Sequence, residues 1–362
     1  MELFDLMNKQ DHEHEQLVFW NEPRIGYKGI IAIHSTSLGP ALGGTRFWSY
    51  DSDEEAIIDC LRLARGMSFK SALAGLNLGG GKSVIIGDNR VREREMIFRA
   101  HGRAVESLGG RYITAEDVGT SPTDMDFVHM ETDHVVGLLG KSGDPSPVTA
   151  FGVYQGMKAA ALHLYGDDSL DGKHVTVQGV GHVGYFLCEN LAEEGARLTV
   201  TDIDEEKVKK VVDEFGATAV DADEIYSVDA DIFAPCALGA IINDDTLKVL
   251  NVDIIVGGAN NQLAESHHRE DVKQKGILYG PDYLVNAGGL INVYAEIEGW
   301  PAERSLRKAE EIYTTLLRIL ELADEEDITT ADASDQFALE RMEQVRHLHR
   351  TELGSLTYKP CG

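Results

Sequence analysis

Cysteine is scarce and poorly placed for cross-links. Cys60, Cys188, Cys236 and Cys361 lie far apart and form no C-x-x-C pair. In a chain of this length that pattern suits a reducing compartment rather than a disulfide framework. No apolar run approaches the roughly 18 residues of a membrane span. Residues 1–10 lack the basic patch and apolar stretch of a secretory signal. A cytoplasmic protein without a membrane partner is therefore expected. Basic charge is also short: 33 Lys and Arg stand against 61 Asp and Glu, a net charge of −28. Phosphate backbones need a basic footprint, so nucleic acid is not an expected partner. So acidic a surface repels itself at low salt. It fits either a salty cytoplasm, where counterions screen the repulsion, or an ordinary acidic enzyme.

The composition that remains is globular. With 362 residues, 43% of them hydrophobic, the chain can build two cores. Residues 66–83 read GMSFKSALAGLNLGGGKS. Lys70 and Lys82 are separated by apolar and small residues, an unusual setting for a strongly hydrated ammonium. If both face one cleft, desolvation and like charge push a lysine toward acting as a base. The glycines at 79–81 would let the backbone turn tightly and a substrate come close. A phosphate-binding loop needs Gly at 76, where Leu stands. A Gly-rich turn leading to a strand at 83–86, with Lys82 in solvent, explains the stretch equally well.

Around it the pattern predicts an α/β chain. Residues 1–20 read as helix, with His12 and His14 on its surface. Residues 24–34 read as a strand, and 35–44 as turn-rich. Asp51 or Ser52 caps a helix bearing Ile57, Ile58, Leu61 and Ala64 on one face. A short strand over 109–117 ends in two acids; Asp117 is either a site carboxylate or a loop and cap residue. Two prolines and three glycines over 137–148 mark a boundary. The expected first domain is 1–145, rejoined by C-terminal helices over 331–362, and the second is 146–330.

The second domain opens on an apolar strand at 174–178, then Gly179-x-Gly181-x-x-Gly184, a helix, and a strand ending at Asp202. That is the full βαβ dinucleotide fingerprint. The first Gly turns tightly, the second admits the pyrophosphate, and the third packs helix on strand. The pyrophosphate then meets the helix N-terminus beside His182 and Val183. Asp202 would bind the adenosine ribose and repel a 2′-phosphate, which favours NAD over NADP. Asn260 and Asn261 follow a later strand and either point toward the nicotinamide or sit in a surface turn. The adjacent His267 and His268 are read as unsupported by other ligand types, so no metal site is expected.

Residues 66–83, TAEDVGT at 114–120, SGDPSPVTAFG at 142–152, APCALGA at 234–240 and ANNQL at 259–263 resemble the glutamate/leucine/phenylalanine/valine dehydrogenases. Within that family the leucine dehydrogenase branch is the nearest. The resemblance implies an N-terminal α/β substrate domain, a Rossmann-type NAD domain and a cleft between them. It implies reversible oxidative deamination of an L-amino acid to a 2-oxo acid and ammonia, by a homo-oligomer. Lys70 would bind the substrate carboxylate, with Gly43 and Gly44 lining that site. Lys82 would activate water, and Asp117 would shuttle protons. Asn261 would hold the amino group and nicotinamide, and Thr149 would touch the nicotinamide. Leu42, Leu290 and Val293 would line an apolar side-chain pocket suited to leucine, valine or isoleucine. An aromatic amino-acid dehydrogenase and a catalytically silent NAD-binding scaffold are the alternatives.

Overall fold

The computed structural model describes residues 3–8, 14–140 and 143–353. His12, Ser142 and Cys361 lie outside the described residues. The chain forms two compact units: one of residues up to Gly143 and from Ala338 onward, the other spanning Asp144–Phe337.

The first unit contains α1 (Leu3–Asn8), β1 (Gln16–Glu22), β2 (Tyr27–Ser35), β3 (Ala41–Trp48), α2 (Asp53–Leu73), β4 (Gly79–Ile86), α3 (Glu95–Glu106), β5 (Tyr112–Glu116) and α4 (Pro122–His129). The sheet order is β1-β2-β4-β3-β5. β1, β2 and β4 pair antiparallel, while β4, β3 and β5 run parallel. Both faces are covered, which is why β2 reads as an unbroken apolar run. Ile30, Ala32 and Val84 pack with Ile57, Cys60 and Ala64 of α2. Tyr27, Phe47 and Ile85 turn the other way, onto Phe98, Met125 and Val128. Successive strand residues thus serve opposite cores.

Four expectations fail in this unit. The segment expected to be helical over residues 1–20 is helix only at Leu3–Asn8 and becomes strand at Gln16. Its β-branched and aromatic residues, Val18, Phe19 and Trp20, pair in register with Ile31, Ile30 and Gly29. His14 is not a surface residue but is buried, with ring nitrogens 3.2 Å from Met7 O and 3.0 Å from Leu61 O. Ala41–Gly44 is not turn but the start of an interior strand, where glycines accept close neighbours.

Gly79, Gly80 and Gly81 likewise form no tight turn; they open β4. A Cβ on Gly80 would lie 2.0 Å from the Ser68 backbone nitrogen, and one on Gly79 would lie 2.0 Å from Ser35 O. Glycine is required because helix and strand backbones touch. That contact seats the last turns of α2, which carry Lys70, on the start of β4. Ser52 caps α2 at its N-terminus through the Glu55 amide. At the other end Arg341 donates to the carbonyls of Ser71 and Ala72 at 3.3 and 2.8 Å.

The second unit contains α5 (Ser146–Tyr165), β6 (His174–Gln178), α6 (His182–Glu194), β7 (Arg197–Thr201), α7 (Glu205–Phe215), β8 (Thr218–Ala219), β9 (Ile232–Pro235), α8 (Thr246–Val249), β10 (Ile254–Ile255), α9 (His268–Gln274), β11 (Leu278–Tyr279), α10 (Asp282–Val285), α11 (Gly288–Glu298) and α12 (Ala302–Glu326). The sheet is parallel throughout, in the order β11-β10-β9-β6-β7-β8. Read from the other edge, this is the 3-2-1-4-5-6 order of dinucleotide-binding sheets, with its switch point between β6 and β9. The final helix α13 (Thr330–Leu353) begins in this unit. The change of unit falls inside it, after Phe337, rather than at its start.

Candidate functional site

In the first unit the chemistry gathers on the α2 face of the sheet. Strand alternation places Gly80, Lys82 and Val84 on that face, and Gly81, Ser83 and Ile85 on the α3 face. Lys82 is only 5% exposed, which removes the reading that puts it in solvent. Its ammonium donates to Asp117 Oδ2 at 2.9 Å. The neighbour that touches Lys82 is therefore an acid, whereas the sequence suggested a second cation. Lys70 sits half-buried in the last turn of α2.

Asp117 follows β5 directly, and Gly44 of β3 makes room for it. A Cβ on Gly44 would lie 2.3 Å from Glu116 O and 2.9 Å from Asp117 Cβ. Gly43 is equally constrained, since its Cβ would meet Gly81 O. Leu42, one residue earlier, is buried. The Asp117 backbone is pinned by its N–H to the Thr120 hydroxyl at 2.8 Å. Asp117 is thus fixed just past β5 with its carboxylate on Lys82.

One residue of this site was missed in the sequence. Arg46 Nε donates to Asp117 Oδ2 at 3.1 Å, and its Nη1 donates to Asp59 Oδ2 at 2.8 Å. Asp59 also accepts from Tyr50 and Arg62, at 2.8 and 3.0 Å. The only sequence signal was the two-residue alternation that puts Arg46 beyond Gly44 on the same face. Burial alone would raise the Asp117 carboxyl. The Lys82 ammonium and the Arg46 guanidinium outweigh it and hold the group below the usual carboxylate range. Beneath Lys82, on the α3 face, Thr45 Oγ1 bonds Ser83, His101 and Thr114 at 2.7, 2.9 and 2.6 Å. Burial pushes the His101 imidazole down to about 3, so it stays neutral.

In the second unit the Gly-rich turn lies at the switch point of the sheet. Gly179 has φ +91°, and a Cβ there would meet Ala237 at 2.6 Å. Gly184 packs on Gly179, where a Cβ would lie 2.0 Å from its carbonyl oxygen. Gly181 has open space around its Cβ position, and no side chain caps α6. The first N–H groups of α6, at His182 and Val183, thus have no side-chain cap, as an anion-binding helix start requires. His182 is exposed, with Asp144 3.5 Å away. Asp202 accepts the Val180 N–H at 2.8 Å and the Asp204 N–H at 3.0 Å, so it also braces the turn. These residues fit a dinucleotide.

The amide cluster follows β10. Asn261 adopts φ +51°, and its carbonyl accepts the N–H of Ala240, itself at φ +58°. Such backbone is strained and is typical of functional loops. Asn260 Oδ1 accepts from Asn286 Nδ2 at 2.9 Å. Gln262 is fully buried and donates to Gly257 O and Ala259 O at 2.8 and 3.0 Å. Asn286 and Gln262, also missed as site residues, hold the loop that presents Asn260 and Asn261. Thr149 lies in the first turn of α5, its hydroxyl bonded to Pro145 O at 3.0 Å. Leu290 and Val293 are three apart on α11, which places them on one face.

Comparison with known proteins places the chain in a family. Residues 14–134 match the model of the Glu/Leu/Phe/Val dehydrogenase dimerisation domain, and residues 198–349 that of Glutamate/Leucine/Phenylalanine/Valine dehydrogenase. The leucine dehydrogenase of Bacillus subtilis is 58% identical over 349 residues, 96% of this chain and 95% of that one. The chain belongs to the Glu/Leu/Phe/Val dehydrogenase family. The phenylalanine dehydrogenase of Caldalkalibacillus thermarum is 46% identical, over 94% of each chain. The crystal structure of L-tryptophan dehydrogenase from Nostoc punctiforme superposes with a TM-score of 0.85 at 46% identity, covering 92% of this chain and 97% of that one. The protein is thus an amino-acid dehydrogenase of this family, with a Rossmann-type unit suited to a nicotinamide cofactor. No helix among the described residues is long and apolar enough to cross a membrane.

Proposed function

We propose that this protein catalyses the reversible oxidative deamination of a branched-chain aliphatic L-amino acid to its 2-oxo acid, ammonia and NADH. The observation that carries the reading is the buried Lys82–Asp117 pair at 2.9 Å, in a chain 58% identical to a leucine dehydrogenase. Bound NAD supplies the acceptor for the hydride that leaves the substrate α-carbon. The second unit holds that cofactor, with Gly179, Gly181 and Gly184 at the pyrophosphate and Asp202 at the ribose. A carboxylate there repels a 2′-phosphate, which selects NAD. Thr149, Asn260 and Asn261 orient the nicotinamide end.

The first unit binds and works on the amino acid. Lys70 pairs with the substrate carboxylate, against backbone left bare by Gly43 and Gly44. Asp117 takes a proton from the amino nitrogen before oxidation and returns one when ammonia departs. Lys82, once its own proton has left to solvent, takes one proton of the water that adds to the iminium carbon. The C–N bond then breaks with the nitrogen carrying the proton from Asp117, and the hydroxyl proton of the carbinolamine passes to the freed Asp117 carboxylate as the C=O bond forms, from which the departing ammonia takes it up. The family resemblance gives the substrate side chain to Leu42 of the first unit and to Leu290 and Val293 of the second, and each of the three is apolar. A glutamate carboxylate buried there would lose hydration without a partner, while each buried CH₂ of leucine contributes about 0.8 kcal/mol. The protein is further proposed to be cytoplasmic and homo-oligomeric, in keeping with its dimerisation domain.

The test is kcat/KM for leucine, valine, isoleucine, phenylalanine and glutamate with NAD, alongside Lys82→Ala. Aliphatic substrates should lead. Lys82→Ala should lose roughly 10²-fold or more in kcat while NAD still binds. A phenylalanine maximum would favour the aromatic branch, and a glutamate value at or above leucine's would overturn the apolar pocket. Cofactor binding without turnover of any amino acid would leave a silent scaffold.

A further inference from the structure

We propose that Asp244, His267 and Asp271 form a structural site for a divalent transition-metal cation, zinc in the first instance, on the second unit. Acids stand close to His267 in sequence, Asp271 among them, but a distant ligand completes the set only in the fold, which brings Asp244 against them. Asp244 comes from the loop before α8, while His267 precedes α9 and Asp271 lies four residues further along it, on the same side.

The spacing fits one ion. His267 Nε2 stands 3.6 Å from Asp244 Oδ1 and 3.7 Å from Asp271 Oδ2. All the candidate ligand atoms of this cluster lie within 4.8 Å of one another. An ion about 2.0–2.2 Å from each ligand has tetrahedral ligand–ligand distances of about 3.4 Å. Small rotamer adjustments of exposed side chains close that difference. An imidazole ligand among carboxylates favours zinc and its neighbours over magnesium or calcium.

His268 has a different part. It is 2% exposed, and its Nδ1 accepts the Glu265 N–H at 2.9 Å. In the neutral ring the proton is then on Nε2, which lies 3.2 Å from Asp244 Oδ1 and donates to it. His268 therefore orients a ligating carboxylate, as outer partners of metal sites do. Three protein ligands leave one position for water. The ion would tie the α8 turn to α9, joining two short helices that otherwise meet here through side-chain ion pairs.

The experiment uses the purified full chain after chelator treatment, with Zn²⁺ as probe and excess Mg²⁺ to occupy scattered surface carboxylates. Equilibrium dialysis should show one saturable equivalent per chain. Affinity should fall at least tenfold in His267→Ala and in Asp271→Asn, and Zn²⁺ should raise the thermal midpoint of the wild type only. His267 is an exposed side chain, so its variant should fold; if it does not, Asp271→Asn asks the same question. No saturable equivalent, or one that survives in the folded variants, would overturn the site.

Discussion

Gly44→Ala tests whether the closeness of β3 and β5 matters to catalysis. The added Cβ would lie 2.3 Å from Glu116 O, 3.0 Å from Glu116 C and 2.9 Å from Asp117 Cβ. Tolerable C···O contacts begin at about 3.3 Å, so the end of β5 must retreat by about 1 Å. Asp117 moves with it. Its 2.9 Å contact with Lys82 would open to about 4 Å, beyond hydrogen-bond range. Losing a hydrogen bond between charged groups costs about 1.5–3 kcal/mol, and overpacking adds roughly 1–3 kcal/mol. Catalysis should suffer as well, because a misplacement of about 1 Å can cost 10²-fold. Gly66→Ala is the control. Gly66 lies within α2 with open space where its Cβ would stand. Alanine should therefore stabilise the helix by about 0.5–1 kcal/mol and leave turnover unchanged. The assay is kcat/KM for leucine together with the thermal midpoint of each variant. A Gly44→Ala enzyme within twofold of wild type would refute the claim that this glycine sets the position of Asp117.

Three further outcomes follow from the same geometry. Arg46→Gln removes one of the two cations that hold the Asp117 carboxyl down, so that carboxyl should rise and the acid limb of kcat/KM should move to higher pH; an unmoved limb would deny Arg46 this part. The sign also fixes stability: a depressed carboxyl stabilises the fold above its unfolded value, and the gain is lost as pH falls through the folded one, so wild type should lead Arg46→Gln in thermal midpoint at neutral pH by a margin that shrinks in acid. Asp202→Ser should weaken NAD and admit NADP, measured as the ratio of kcat/KM values; wild-type use of both cofactors would contradict the assigned repulsion. With a net charge of −28, the thermal midpoint should rise from low to molar salt if the surface is adapted to a salty cytoplasm, and a flat response would leave an ordinary acidic enzyme.

The two units were unequally legible. The dinucleotide half was readable because its information is local: Gly179, Gly181, Gly184 and Asp202 sit within one βαβ turn of sequence. The first unit hides its reasons in distant partners. Gly79–Gly81 look like a turn until Ser35 and Ser68 are seen against them. Ala41–Gly44 carries turn residues, yet β4 and β5 flank it and make it strand. Arg46 gives no motif of its own, because its partners Asp59 and Asp117 are 13 and 71 positions away. His14 reads as a surface residue in an acidic segment, and only the carbonyls of Met7 and Leu61 show why it is buried.

The arrangement of charge explains how a buried lysine can be kept and used. From Lys82 the signs alternate through Asp117, Arg46, Asp59 and Arg62, and side-chain exposure runs from 6% at Lys82 to 52% at Arg62. A buried cation alone would face a desolvation cost of several kcal/mol. Here each charge faces the opposite sign, and the chain ends in solvent. Moving one proton from Lys82 Nζ to Asp117 Oδ2 leaves the net charge of the pair unchanged, so the site can shift a proton without stranding a charge. Arg46 opposes that shift by favouring the ionised carboxylate. In the proposed reaction an arriving amino acid would bring its own carboxylate to Lys70 and its ammonium to Asp117. The ammonium would then compete with Lys82 for the oxygen that it holds at 2.9 Å, loosening the ion pair when a base is needed.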